Sequence, residues 1–500
     1  MVKMSLAKIV KSSVWLYGSN LVNNLFGFAY WFIISAIGGP EILGVTSSII
    51  GLAGLVSGFL SFGIGIGLVR FVGKSIGDRD EASVSAYFWS ALLFFLLVYL
   101  STGLTLIVLS FLGFSFSNFS SSMLRFVGIM VLLAFVNTFN SFLMASLRTD
   151  LIFKSNLVGN LLKLATGVGL VLLGWGWVGA VIGYMAIQLT NLVILGFESF
   201  KRVGLKIIFK ISNLKNLFKA GIVSWLPGIV ALAGQWLGVL FVFGSSGAYE
   251  TGLYYVAFSI ANVVFMSGMS LSSMLLPVLS GMEDGRKRTT WRVIRVGLSL
   301  TWPLAVFIGT YPWLPLSLLG ESYLEASPVL ELLMLNLVAI LLSSSISNLS
   351  YAYGLYRYVL LIGLAQNIPR VFLYYILVSC MGMLGAALSF TIGAFLGVIV
   401  AVFVASRIGF HIRIGEIATI AAVPPLLAFL VLLLNIHFVA GGLIIYGLSI
   451  LLFLKLNILQ WKDLSDIAES LLPGKLQLIK KIAGSRLLVK IKKHINYTID

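Results

Sequence analysis

Long apolar stretches recur along the whole chain and are separated by short polar turns. A helix that crosses a bilayer needs about 20 mainly apolar residues. Stretches of this kind lie at roughly 14–37, 44–69, 84–112, 123–147, 151–173, 177–197, 221–243, 252–279, 293–318, 330–354, 358–378, 381–404, 417–434 and 438–456. The pattern therefore predicts an all-α polytopic membrane protein with about 14 transmembrane helices.

Composition supports this prediction. Of the 500 residues, 59% are hydrophobic and only 10% are charged, and the mean hydropathy is +1.04. A soluble protein would carry about 25% charged residues. The net charge of +17 would suggest nucleic acid as the partner of a soluble protein. Here we attribute it to cytoplasmic loops that face anionic lipid, and we expect no nucleic-acid partner.

Basic residues alternate between successive connections. Lysine and arginine favour cytoplasmic loops. If the N-terminus is inside, every second connection is on the outer side, and these outer connections contain no lysine and no arginine. They lie near 38–43, 113–122, 174–176, 244–251, 319–329, 379–380 and 435–437. We therefore predict an even number of spans, with both termini cytoplasmic, in the cell (plasma or inner) membrane.

The chain also looks duplicated. The outer turns "GGPEILGV" (38–45) and "SGAYETGLYY" (246–255) each place a glycine soon after a glutamate, at an offset of about 209 residues. Short turns of this kind also recur by chance. A loop with six basic and no acidic residues separates the halves. The predicted divisions are an N-terminal six-helix bundle (1–198), a basic cytoplasmic linker (199–219), a C-terminal six-helix bundle (220–406), two additional transmembrane helices (407–456) and a basic cytoplasmic tail (457–500).

Two cations lie deep in predicted spans and have no acidic counterpart there. Lys163 and Arg370 fall near mid-membrane, whereas all 17 acidic residues lie in loops, in the tail or near span ends. An ionisable group in the hydrocarbon costs about 2.5–3.5 kcal/mol on insertion scales and usually has a partner or lines a wet cavity. A diphosphate would suit this site, because arginine offers a planar fork of donors and lysine a point charge. Lysine can alternatively extend to the interface.

Polar side chains accompany these cations at helical spacing. Asn156 and Asn160 share a helix face with Lys163, and Asn367 and Tyr374 share one with Arg370. The other candidate substrate-binding residues are Asn20, Asn24, Gln235, Asn262 and Arg125. Amides suit sugar hydroxyls beside a phosphate, although intramembrane amides also bond neighbouring helices. Arg125, at the outer end of the fourth span, could hold a phosphate near the exit or, alternatively, extend to the outer head groups.

The architecture resembles a known family of transporters. The grouping of spans as six, six and two, the "GPEILG" turn, "FGIGIGLVRFVGK" (62–74) and the basic central loop are similar to the polysaccharide-type lipid flippases. These are the Wzx-like exporters of O-antigen and other repeat units. They belong to the MOP superfamily, with the MATE drug exporters and the peptidoglycan-precursor flippase MurJ. The resemblance implies two bundles around a cationic central cavity, and export of an isoprenoid-linked oligosaccharide by alternating access.

Three functions compete. A flippase that moves an anionic isoprenoid-(di)phosphate-linked oligosaccharide from the cytoplasmic to the outer leaflet matches the sign of the buried charge. A MATE-like antiporter for cationic drugs would need a deep acidic residue. A membrane-embedded glycan polymerase or ligase would need a sizeable outer loop or clustered acid–base residues.

We therefore predict a protein that is not an enzyme and that has no catalytic residue, metal or cofactor. The three histidines lie outside the predicted spans and form no metal constellation. The expected partners are a lipid-linked oligosaccharide and membrane lipids, with glycan-assembly proteins as further candidates.

Overall fold

The computed structural model describes residues 6–273, 275, 279 and 282–465. These residues are almost all helical, and no β-strand is assigned among them. The first half contains α1 (Leu6–Leu60), α2 (Ile64–Gly77), α3 (Glu81–Phe111), α4 (Ser121–Leu133), α5 (Asn137–Ala145), α6 (Thr149–Leu170), α7 (Gly176–Val203) and α8 (Ile211–Ser273). A 3₁₀ turn joins α4 to α5, and a π-helical turn joins α6 to α7.

The second half contains α9 (Arg286–Thr310), α10 (Trp313–Ser317), α11 (Ser327–Met334), α12 (Leu337–Ala352), α13 (Tyr356–Arg407), α14 (Ile414–Leu433), α15 (Phe438–Gly442) and α16 (Ser449–Lys455). A 3₁₀ turn precedes α11, and a π-helical turn joins α15 to α16. Most of the predicted tail, residues 466–500, lies outside the described residues.

Glycines interrupt the longest helices. Among the described residues, nine helices are long and apolar enough to cross a membrane, or ten if α11 and α12 form one bent span. Four of the nine contain a glycine with non-helical backbone: Gly39, Gly174, Gly247 and Gly382. Each of these lies at or beside a predicted outer connection. The all-α polytopic fold is confirmed, and the total of fourteen spans stays a prediction.

Two predicted spans are not continuous. The span predicted at 44–69 breaks between α1 and α2, where Phe62 and Gly63 have positive φ. Gly63 lies directly against the backbone of Gly221, and only a residue without a side chain permits that approach. The span predicted at 330–354 bends by 42° between α11 and α12. There the Asn336 amide donates to the carbonyl oxygens of Leu332 and Leu333, and so competes with the helical backbone bonds.

The two similar outer turns pack against each other. Helix α1 runs along α8, and both change direction at a glycine, Gly39 and Gly247. Just beyond these glycines, Gly44 lies against the Ala248 carbonyl and Gly252 lies against the Pro40 carbonyl. This reciprocal contact is the one that two repeated units related by a pseudo-two-fold axis would make. The division into two six-helix bundles stays a prediction.

Charged groups occupy the helix ends. Asp80 caps α3 by accepting from the Ser83 backbone N–H at 2.9 Å, and its hydrogen bonds with Ser83 lower the pKa of the Asp80 carboxyl. Asp463, 2% exposed, accepts from Arg292 at 2.6 Å and from Arg295 at 3.0 Å. The beginning of the predicted tail is thus held against the first turns of α9.

Candidate functional site

The larger of two cavities lies among the helices of the first half. Its volume is about 880 Å³, and its walls come from α1, α2, α3, α4, α5, α7 and the beginning of α8. The polar lining residues are Ser57, Ser61, Arg70, Asn137, Ser141 and Gln188, with aromatic side chains beside them. A volume of this size is typical of a site for a small molecule.

Small side chains on α1 make room for this cavity. Ala53, Gly54, Ser57 and Gly58 form two adjacent pairs that lie four positions apart, so they share one helix face, and Ser61 follows in the turn after α1. A face of small residues in a membrane helix usually brings two helices close together. Here part of that face borders empty space.

The electric charge of the larger cavity is positive. Among the described residues that line it, Arg70 is the one ionised side chain, and none is acidic. Arg70 lies on α2, at the predicted inner end of the second span, and its side chain is exposed. Its guanidinium carbon is 5.8 Å from the centre of the Phe71 ring. An anion entering this cavity would meet a guanidinium and no carboxylate.

The smaller cavity lies between α8 and two helices of the second half. Its volume is about 460 Å³, and it is bounded by α8, α12 and α13. Ser343, Ser344, Ser347, Tyr351, Gln366 and Asn367 supply its polar groups. Gly228 on α8 lies in the wall of both cavities. The first part of α8 therefore stands between the two spaces.

Arg370 is buried one layer behind the smaller cavity. It is 3% exposed, and its guanidinium carbon lies 3.9 Å from the centre of the Phe390 ring. Its two terminal nitrogens donate to the Asn367 side-chain oxygen at 3.2 Å and to the Phe390 carbonyl at 3.3 Å. No ion pair to Arg370 occurs within the described part of the chain. Arg370 is connected to the smaller cavity through Asn367, which lines that cavity and accepts the hydrogen bond from Arg370.

Lys163 is buried one layer behind the larger cavity. It is 2% exposed, and its Nζ lies 4.9 Å from the centre of the Tyr30 ring and 5.8 Å from that of Tyr184. Tyr184 itself lines the larger cavity. The tyrosine faces attract the ammonium group through their electron density. The side chain therefore rests against aromatic rings and does not extend into open space.

The two deep cations occupy equivalent positions in the two stretches that the sequence pattern predicts to be repeats. Asn160-x-x-Lys163 on α6 corresponds to Asn367-x-x-Arg370 on α13, about 207 residues later. Each cation faces one aromatic ring from the following span, Tyr184 for Lys163 and Phe390 for Arg370. The N-x-x-[K/R] spacing at both positions is a signal of this correspondence that is present in the sequence itself, in addition to the similar outer turns.

The backbone supports this correspondence. Gly176 and Gly382 open the following spans with nearly the same conformation, φ 53° and ψ −137° in one and φ 53° and ψ −130° in the other. Each begins a G-x-x-G-A sequence, "GWVGA" and "GMLGA". The second glycine of each, Gly179 or Gly385, packs on the end of the preceding span, at Leu170 or Leu377.

Two of the predicted amides hold helices together. Asn156 donates to the Ser19 hydroxyl at 2.8 Å, and Asn160 donates to the Asn23 side-chain oxygen at 2.7 Å. Both bonds tie α6 to α1, and neither asparagine lines either cavity. These hydrogen bonds agree with the alternative interpretation, in which the amides bond neighbouring helices.

The remaining candidates are spread over the molecule. Tyr374 is fully buried, and its hydroxyl and that of Tyr254 both lie close to Gly238. Arg125 donates to the Ser110 hydroxyl at 3.2 Å, and its guanidinium carbon lies 4.4 Å from the centre of the Phe111 ring. Asn20, Asn24 and Gln235 are exposed and Asn262 is half-buried, and none of these four lines either cavity.

The eleven predicted residues thus do not surround one chamber in this conformation, and Asn367 alone among them contributes to the wall of a described cavity. Their role as substrate ligands stays a prediction. The residues that line the larger cavity were mostly missed, because Ser57, Asn137 and Gln188 are uncharged and common in membrane helices. Within the described residues, no group of three His, Cys, Asp or Glu side chains is placed to hold a metal ion.

Comparison with known proteins assigns the family. Residues 40–328 match the family described as "Polysaccharide biosynthesis protein". An uncharacterized membrane protein of Methanocaldococcus jannaschii is 23% identical over 435 residues, which cover 81% of this chain and 99% of the relative.

Solved structures share the fold. The lipid II flippase MurJ, in an inward closed conformation, matches with a TM-score of 0.73 and 14% identity over 89% of this chain and 100% of that structure. An inward-facing multidrug resistance transporter of the MATE family matches with a TM-score of 0.63 and 17% identity, over 77% and 94% of the two chains. The chain is therefore a multi-pass membrane protein that belongs to the polysaccharide biosynthesis protein family and has the fold of the MOP-superfamily flippases and transporters.

Proposed function

We propose that this protein is a flippase for an anionic isoprenoid-(di)phosphate-linked oligosaccharide. It moves this cargo from the cytoplasmic to the outer leaflet of the plasma membrane by alternating access, with both termini in the cytoplasm. Cationic side chains hold the phosphate during the transfer. Membership of a polysaccharide biosynthesis family supports the glycan part of this proposal.

The sign of the charge at the larger cavity carries the proposal. Arg70 is the one ionised group among the described lining residues, and no carboxylate neutralises it there. A guanidinium can donate two parallel hydrogen bonds to phosphate oxygens. Arg70 is exposed, so an anion in the cavity can reach its guanidinium directly.

The two buried cations strengthen the same field. Lys163 and Arg370 have no acidic partner among the described residues, and each lies one side chain away from a cavity wall. Both are nearly inaccessible, and a buried charge is screened less than an exposed one, so their positive potential extends toward the cavities. We propose that they bind the phosphate in other states of the transport cycle, when a change in helix packing opens their surroundings.

The competing functions have less support. An antiporter for cationic drugs would place a carboxylate in its cavity, and the described lining residues of both cavities are without one. A glycan polymerase or ligase would need an acid–base pair within reach of a sugar. We therefore propose transport without catalysis.

Transport in liposomes that contain the pure protein tests the proposal. The probes are a fluorescent polyprenyl diphosphate that carries a trisaccharide and a fluorescent organic cation. We expect the lipid-linked sugar to cross and the cation to stay where it was loaded. Movement of the cation alone would overturn the flippase proposal in favour of the antiporter.

A pair of variants on α2 links this transport to charge. Arg70→Ala should raise the KM for the lipid-linked sugar by roughly 10-fold or more, because a hydrogen bond to a charged group contributes about 1.5–3 kcal/mol. Lys74→Ala is the matched control, because Lys74 is an exposed cation one turn further along and does not line the cavity. If the two substitutions raise the KM equally, the position of the positive charge in the cavity wall does not determine binding of the lipid-linked sugar.

A further inference from the structure

The polar wall of the smaller cavity comes chiefly from one face of α12. Ser343, Ser344, Ser347 and Tyr351 follow one another at spacings of one, three and four residues, so their side chains point to the same side of the helix. Ser345 and Asn348 lie on another face and bond to Ser272 of α8. The helix thus has one polar face that joins it to a neighbour and a second that borders empty space.

The three cavity serines leave their hydroxyls unused. Elsewhere in these helices, buried hydroxyls donate to the carbonyl one turn back, as Ser350 does to Ile346 and Ser389 does to Gly385. Ser343, Ser344 and Ser347 make no hydrogen bond within the described part of the chain. The Ser343 oxygen is fully buried, so a ligand reaches it only after the surrounding side chains move apart, whereas Ser344 and Ser347 are partly exposed. A buried hydroxyl without a partner is costly, and a ligand that bonds to it removes that cost.

The opposite wall adds amide groups. Gln366 and Asn367 on α13 face the same cavity. The Asn367 amide nitrogen donates to the Gly363 carbonyl at 2.9 Å, and its oxygen accepts from Arg370, so this side chain is fixed in orientation. The Gln366 side chain has no hydrogen bond to any described residue. Its donors and acceptor are therefore available to a ligand.

The chemistry of this cavity differs from that of the larger one. Its described lining residues include no lysine, arginine, aspartate or glutamate. Hydroxyl and amide groups both donate and accept hydrogen bonds, as the hydroxyls of a sugar do. An uncharged polyhydroxyl ligand satisfies such a wall, whereas a phosphate would find a guanidinium in the wall only at Arg70, because Arg370 lies behind Asn367. The volume of about 460 Å³ lies within the range of about 300–1,000 Å³ for small-molecule sites.

We propose that the smaller cavity is a binding site for the uncharged sugar part of the cargo. The serines of α12 and the Gln366 amide bind sugar hydroxyls, and the charged end of the same molecule lies on the other side of the Gly228 region, toward Arg70. This inference rests on the proposed function and adds to it that the sugar and the phosphate of one cargo molecule bind in separate cavities. It predicts that the two ends of the cargo can be affected separately by substitution.

A triple variant tests whether the sugar and the phosphate bind in separate cavities. Ser343→Ala, Ser344→Ala and Ser347→Ala together remove three hydroxyls and add no volume. The probes in liposomes are bare polyprenyl diphosphate and the same lipid carrying a neutral trisaccharide. We expect translocation of the trisaccharide lipid to fall by about tenfold or more, since several hydrogen bonds are lost, while translocation of the bare lipid changes by less than about twofold.

Ser350→Ala is the matched control, because its hydroxyl bonds to the Ile346 carbonyl on the same helix. It should leave both rates unchanged. Ser347→Leu provides a second variant that does not depend on the triple substitution: it fills the cavity with an apolar side chain and should also slow the trisaccharide lipid selectively.

The outcomes separate the two proposals. If the unaltered protein moves neither lipid, the flippase proposal fails and the sugar site fails with it. If the unaltered protein moves both lipids, and the variants move the trisaccharide lipid normally or slow both lipids equally, the flippase proposal stands and the sugar site is overturned.

Discussion

At the scale of single residues, the main feature is positive charge without a partner. Arg370 and Lys163 are both nearly inaccessible, and both rest on aromatic rings instead of carboxylates. Cation–π contacts and a few hydrogen bonds to neutral groups offset part of the cost of burial, but they leave the charge itself unneutralised. An uncompensated charge of this kind inside a membrane protein is a marker of function.

Substitution of Arg370 should therefore impair export more than assembly. In a strain that lacks its own flippase, Arg370→Ala should abolish complementation while the protein still inserts in the membrane, because the phosphate loses a positive charge. Arg370→Glu should be worse, since it would repel phosphate. Arg370→Lys should retain part of the activity, because it keeps the charge and loses the planar fork. Glycan display on the cell surface and the amount of protein in the membrane are the measurements.

Equal behaviour of the alanine and glutamate variants would mean that the charge at this position is irrelevant. Normal export by both would remove Arg370 from the transport machinery altogether.

The amide of Asn160 should matter for stability. It joins α6 to α1 through Asn23, so Asn160→Ala should lower the free energy of unfolding by about 1 kcal/mol and leave the KM for the lipid-linked sugar unchanged. Val158→Ala is the control, because Val158 is an exposed residue on the same helix. Thermal unfolding of the purified protein and transport kinetics distinguish the two roles. A raised KM with unchanged stability would instead make Asn160 a ligand.

At the scale of elements, glycine sets where the long helices turn and where they touch. The reciprocal contact of Gly44 and Gly252 with backbone carbonyls brings α1 and α8 into direct contact near their bends. A carbonyl is part of the main chain and cannot rotate away as a flexible side chain can. The contact therefore admits no larger residue at either position.

Gly44→Val should accordingly destabilise the protein by about 1–3 kcal/mol or more, as overpacking of a tight contact does. Gly27→Ala on the same helix is the matched control, since a β-carbon there would meet nothing within 4 Å. The fraction of protein that remains monodisperse after heating in detergent measures both. If Gly44→Val is as stable as Gly27→Ala, the contact between the turns is not needed for the fold.

At the scale of the whole molecule, the distribution of lysine and arginine predicts which ends of the helices face the cytoplasm. The single cysteine offers a direct measurement, because Cys380 is exposed and lies in a predicted outer connection. A thiol reagent that cannot cross membranes should label Cys380 in intact cells. Ser212→Cys in the basic loop, combined with Cys380→Ser, should react only after the membrane is opened. Labelling in the reverse order would invert the topology.

The sequence alone determined the class of fold and the family resemblance. Runs of about 20 apolar residues can satisfy their backbone hydrogen bonds in a bilayer only as helices, so an all-α membrane protein follows from hydropathy without knowledge of any contact. The sequence itself shows that no aspartate or glutamate falls near the middle of a predicted span. The equivalence of Asn160-x-x-Lys163 and Asn367-x-x-Arg370 was also present there, although it becomes evident only when both cations are seen against equivalent aromatic rings.

Tertiary structure alone decided which polar residues border a cavity. Helical spacing places Asn156, Asn160 and Lys163 on one face, yet it cannot say whether that face meets water or another helix; here Asn156 and Asn160 bond to α1. The cavities arise where small or uncharged residues of distant segments fail to fill the space between them, as Ser57 and Gln188 do on one side and Ser344 and Gln366 on the other. A void is a property of the packing of several helices, and no single helix encodes it.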